Sequence, residues 1–69
     1  SIFPTAPEKK QYVKDVYFYI DKYFKEYRSE FDTSSPANKI AITEVVYKAA
    51  RAEALGKLKE SMLTRIPEE

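Results

Sequence analysis

The stretch YVKDVYFYIDKYFKEYRSEF, residues 12–31, holds eight of the ten aromatic residues in this 69-residue chain. At about 100° per residue its apolar side chains gather on one side of a helix. Val13, Val16, Tyr17, Ile20, Phe24, Tyr27 and Phe31 form the centre of that face, which the spacing predicts as core. Tyr12, Tyr19 and Tyr23 widen it along one flank, where a ring can pack while its hydroxyl reaches water or a partner. Lys14, Asp15, Lys22, Lys25, Arg28 and Ser29 lie mostly opposite. Asp21 and Lys25 have the acid-before-base i,i+4 order that favours a helix.

Upstream, Thr5-Ala6-Pro7-Glu8 has the spacing of a capping box, with proline in the first turn where no intrahelical N–H is needed. The first helix is therefore predicted over about 6–31. Ile2 and Phe3 are apolar enough that Phe3 is expected to fold back on the aromatic helix or to plug the end of a bundle. Downstream, Asp32-Thr33-Ser34-Ser35-Pro36 is a clear break. Small polar side chains compete there for backbone hydrogen bonds, and Pro36 disfavours helical geometry at Ser35. Ser34 or Ser35 is the expected N-cap of a second helix over about 36–65, with the linker at about 32–35.

The second half is rich in alanine and contains the one glycine, Gly56. Its apolar side is read as Ile42, Val45, Val46, Ala49, Ala52, Leu55, Met62, Leu63 and Ile66, drifting as a period nearer 3.5 than 3.6 would. As heptads, Ile42, Ala49, Gly56 and Leu63 share one position, while Val45, Ala52, Lys59 and Ile66 share the other. The β-branched residues between Ile40 and Val46 are poor helix formers, and a glycine in a helix interior costs about 1 kcal/mol. One long helix is expected because the apolar spacing continues in phase through Gly56. The alternative is a short third helix after it.

The fold class is thus all-α: one domain over residues 1–69, an antiparallel helical hairpin with a short connection. Sixty-nine residues bury a modest core, and small chains usually add a disulfide, a metal or another subunit. With no cysteine and no histidine, disulfides are excluded and a zinc site is not expected. The apolar arcs are also broader than one antiparallel neighbour covers. Dimerisation into a four-helix bundle is the expected remedy, with a partner helix as the alternative. The expected dimer or partner interface is Tyr12, Tyr19 and Tyr23 with Ala49, Ala52, Gly56, Met62 and Leu63, large side chains meeting small ones. Glu53 projects beside the apolar side and is expected to pair with a lysine or arginine, setting the register.

Twelve basic and eleven acidic side chains give a net charge of +1, which argues against strong nonspecific nucleic-acid binding. Phe18 nevertheless sits among Gln11, Lys14, Lys22 and Lys25, on the face away from the core stripe. Lysines there can hold phosphates while the ring stacks a base. These five positions resemble in kind the RNA-binding helix face of the repressor-of-primer family, which is also built from hairpins; the likeness is architectural, and the core patterns differ. A nucleic-acid-binding regulator is therefore the alternative to a non-enzymatic protein–protein interaction or regulatory module.

No catalytic residues, metal ligands or cofactor-binding residues are expected. A single glycine cannot build a phosphate loop, and the carboxylates, lysines and tyrosines occupy mostly exposed helical positions without a motif. No apolar run approaches the roughly 18 residues of a transmembrane helix, and no signal-peptide pattern is found, so a cytoplasmic protein without membrane partners is expected. The chain opens on Ser1 rather than methionine, as a processed chain or a domain of a longer protein would.

Overall fold

The computed structural model describes residues 3–65, which form two helices: α1 over Ala6–Asp32 and α2 over Pro36–Arg65. They fold back on each other as a hairpin with extents of 52 × 16 × 16 Å. No strand occurs among the described residues. Ile66, assigned to the apolar side of α2 from spacing, lies outside them.

Both ends of α1 and the start of α2 lie where side chains can satisfy the backbone. At the start of α1, the Thr5 N–H donates to Glu8 Oε1 at 2.8 Å and the Glu8 N–H donates to Thr5 Oγ1 at 3.3 Å, the reciprocal pair of a capping box. At its end, the Thr33 hydroxyl donates to the Ser29 carbonyl at 3.2 Å and the Ser34 hydroxyl to the Glu30 carbonyl at 2.6 Å. These bonds occupy carbonyls that a helix C-terminus leaves without intrahelical donors. Ser35 then caps α2, its Oγ accepting from the Asn38 N–H at 3.3 Å, with Pro36 opening the helix. The Asp21–Lys25 pair forms at 3.1 Å on the surface, where its contribution is small.

α2 runs unbroken through Gly56, so the short third helix does not form. Gly56 has no unusual backbone conformation, and a Cβ added there would meet nothing within 4 Å. Within the hairpin, its cost in helix propensity is not offset by any close approach.

The core is narrow. Among the described residues only Tyr19, Ile42, Val46, Ala50 and Ala54 are buried, and the two alanines have 0% of their surface exposed. On α2 this buried line steps by four residues and continues through half-buried Leu58 and Met62. Steps of four exceed 3.6, so the line turns about the helix in the opposite sense from a 3.5-residue repeat. That corrects the heptad reading: Val45, Ala52, Leu55, Gly56 and Leu63 are exposed, and of the expected apolar side only Ile42 and Val46 are buried.

α1 is rotated correspondingly. Val13 and Tyr17, expected as core, are exposed, whereas Tyr19 from the expected flank is buried. The reason lies in the partner surface. On α2, the Lys57 ammonium lies beside the Tyr19 ring and reaches its hydroxyl, an arrangement suited to a side chain with an apolar body and a polar tip. Phe3 keeps 73% of its surface exposed.

Two substitutions test this packing by urea unfolding. Gly56→Ala is expected to raise the unfolding free energy by about 1 kcal/mol, because it improves helix propensity in open space. Ala50→Leu is expected to lower it by about 1–3 kcal/mol through overpacking, and a neutral result would show that the helices do not approach closely there.

Candidate interaction surfaces

Three surfaces surround the narrow core, and they differ in chemistry. The first is the seam between the helices on the tyrosine side. The Tyr23 hydroxyl donates to Glu53 Oε1 at 2.9 Å, and Tyr23 stacks on Tyr19 with ring centroids 6.2 Å apart. The Lys57 ammonium lies 5.8 Å from the Tyr19 ring centroid, and that of Lys22 lies 5.7 Å from the rings of both Tyr19 and Tyr23. Such cation–ring contacts favour an aromatic side chain at a polar edge. Glu53 joins the two helices, but its partner is a phenol where a cation was expected. Tyrosines can fix register through hydroxyl geometry as well as through ring packing, a signal the charge pattern alone does not carry. Farther along, the Ser61 hydroxyl donates to Glu8 Oε2 at 3.4 Å, tying the far end of α2 to the first turn of α1.

Of the expected interface residues, Tyr12, Tyr19 and Tyr23 therefore direct surface toward α2 within one chain. Ala49 and Met62 are half-buried, while Ala52, Gly56 and Leu63 are exposed. Ala52 and Gly56 share a shallow surface with Glu53, Lys57 and Glu60, so the small-residue stripe is bordered by charge.

The second surface is the apolar side of α1 displaced from the seam. A groove runs between Val13, Val16, Tyr17 and Ile20 of α1 and Tyr47 and Arg51 of α2. Tyr17 is 69% exposed and Tyr47 48% exposed. Phe24 and Phe31 extend the same side of α1, edge to face with centroids 5.0 Å apart. The Arg51 guanidinium lies 5.4 Å from the Tyr47 ring centroid, so its stem covers part of that ring. Sequence reading found the α1 half of this surface but assigned it to the hairpin's own core. Tyr47, the aromatic contribution of α2 to this surface, was not singled out.

The third surface is centred on Phe18, about 100° from Tyr19 in the direction opposite to Ile20. Phe18 is 63% exposed, its ring edge-on to Tyr19 at 5.2 Å. The five residues expected to act together here are only partly aimed at one target. Gln11 donates to Asp15 at 3.0 Å, Lys25 pairs with Asp21, and Lys22 leans over the two tyrosine rings, while Lys14 is exposed.

Among the described residues no group of three or more acidic side chains is placed to hold a metal ion, and no helix is long and apolar enough to cross a membrane. The chain matches no protein-family model, no curated protein and no solved structure.

The seam has a pH signature. The hydrogen bond to Glu53, aided by desolvation and by the charges of Glu53 and Glu26, holds the Tyr23 hydroxyl above its ordinary value of 10.0. Lys57 is held above its ordinary 10.5, chiefly by its hydrogen bond with Tyr19. Both groups bind their protons more tightly folded than unfolded, so their stabilisation is complete below the unfolded values and is lost as pH rises through the folded ones. Urea midpoints are expected to fall as pH is raised from 10 upward. Tyr23→Phe is expected to flatten that fall, and an unchanged alkaline slope would show that this bond is not maintained in solution.

Proposed function

We propose that the protein is a non-enzymatic interaction module whose core is completed by association with another helical surface, most simply as a dimer of hairpins forming a four-helix bundle. The observation that carries this reading is the imbalance of apolar surface. Val13, Tyr17, Ile40, Val45, Tyr47, Leu55 and Leu63 are exposed, while the five buried residues include only three larger than alanine. A helical hairpin has one inner face, and two hairpins packed together acquire a shared interior. Apolar exposure on this scale supports an interaction role for the chain. A regulatory role follows naturally for a module whose folding is tied to its association, since its folded population then depends on partner concentration.

Sedimentation equilibrium combined with circular dichroism on the same samples tests this. Helicity and thermal midpoint are expected to rise with protein concentration over the micromolar range, in step with mass. A sharply cooperative monomer with a concentration-independent midpoint would overturn the reading.

A second reading rests on one specific observation: Phe18 presents an open ring braced against Tyr19, with lysines one and two turns away. Here the ligand is single-stranded nucleic acid. Its affinity is expected to fall steeply between about 50 and 200 mM salt and to drop by roughly tenfold or more for Phe18→Ala. Binding unaffected by Phe18→Ala and by Lys22→Ala would remove it.

A further inference from the structure

We propose that the hairpin has a second packing, in which α2 rolls across α1, closes the groove onto its own walls and opens the tyrosine seam. The inference concerns the single chain and stands apart from the association reading above.

The two rows that flank the buried line of α2 differ in kind. One residue after Val46, Ala50, Ala54 and Met62 come Tyr47, Arg51, Leu55 and Leu63. Tyr47 and Arg51 form the α2 wall of the groove, and Leu55 lies beside Arg51 and Tyr12 where that wall continues. Tyr47, Leu55 and Leu63 are exposed, as are Val13 and Tyr17 on the α1 side. On the other flank, one residue before Ala50, Ala54 and Leu58, come Ala49, Glu53 and Lys57. Glu53 and Lys57 are the residues that meet Tyr23 and Tyr19. An apolar seam thus stands open on one side of the core while a polar seam is closed on the other.

Two bonds hold the polar seam. The Tyr23 hydroxyl donates to Glu53 Oε1 at 2.9 Å, and Lys57 is hydrogen-bonded with Tyr19, its ammonium 5.8 Å from the ring centroid. A hydrogen bond to a charged group shifts an equilibrium by roughly tenfold or more. Rolling α2 returns these polar groups to water and removes Val13, Tyr17, Tyr47 and Leu55 from it, so burial opposes the loss of the bonds. Arg51 keeps its charge at the rim throughout, as its stem already covers part of the Tyr47 ring.

The pivot suits such a movement. Ala50 and Ala54 are fully covered, and neither carries a long side chain that interlocks across the interface. Small sliding of packed helices between two discrete arrangements is one of the established forms of conformational change. The groove holds about 190 Å³, a gap that the side chains on its walls can fill. The two tyrosine bonds are therefore a latch that keeps the groove open.

Thiol labelling of single-cysteine variants tests the latch, because the chain has no cysteine of its own. Val13→Cys reports on the exposed groove side, and Ala49→Cys reports on the half-buried row of the tyrosine seam. Each is combined with Tyr23→Phe and Lys57→Met, which remove both bonds and keep most of the apolar volume. Labelling at position 13 is expected to slow and labelling at position 49 to accelerate, each by roughly tenfold. Unchanged rates would overturn the second packing. So would rates that rise together, since a merely loosened hairpin exposes both sites. Protection at position 13 that weakens on dilution would also overturn it, because association between copies then supplies the cover. Circular dichroism accompanies every variant. Where the combined substitutions lose helicity, Glu53→Gln carries the test: it is expected to move the two rates in the same opposite directions by a smaller factor, and unchanged rates in that folded variant would overturn the proposal.

Discussion

A two-helix hairpin can bury one strip of each helix, and most of this molecule's design follows from that limit. The strip chosen on α2 is a line of small and β-branched residues in which Ala50 and Ala54 are completely covered. The strip on α1 centres on Tyr19 rather than on the most apolar arc of the helix. The hydroxyl of Tyr23 finds Glu53, and Lys57 partners Tyr19. Polar tips at the edge of the seam then orient the helices. Hydrocarbon alone does this poorly, because a smooth apolar strip fits several rotations nearly equally well.

Choosing the tyrosine strip has a consequence for the rest of α1. Its remaining apolar side chains, Val13 and Tyr17 most fully, are left outside together with Ile40 and Tyr47 of the other helix. Burial is worth roughly 25 cal/mol per Å² of apolar surface, so an exposed side of this length represents a substantial unrealised stabilisation. The hairpin itself has few reserves against the entropy of ordering its backbone. Stability and association are therefore coupled in the proposed assembly, and the same residues serve both. The surface bearing Phe18 lies outside this coupling, and its neighbours Lys22 and Lys25 already have partners within the chain.

The elements themselves were legible in the sequence. The Thr5–Glu8 box, the serine-rich break before Pro36 and the long periodic stretches gave two helices with ends close to those observed, and the continuity of α2 through Gly56 followed from phase. The rotation of each helix was not legible. Helical periodicity identifies a broad apolar arc, but on α1 that arc spans nearly half the wheel, and a partner occupies only part of it. Which part depends on contacts such as Tyr23 with Glu53 and Tyr19 with Lys57, which join residues far apart in the chain. The heptad reading of α2 went astray for the same reason: apolar residues destined for two different surfaces were counted as one stripe. Val45 and Leu63 sit off the buried line of Ile42, Val46, Ala50 and Ala54, and their inclusion shortened the apparent period.

Isotope-filtered NMR on an equal mixture of labelled and unlabelled chains addresses the central claim most directly, because it reports only contacts between copies. Cross-peaks are expected between apolar side chains that the hairpin leaves exposed, such as the Val13 methyl groups of one copy and aromatic rings of the other. Spectra without intermolecular cross-peaks at millimolar concentration would contradict the account.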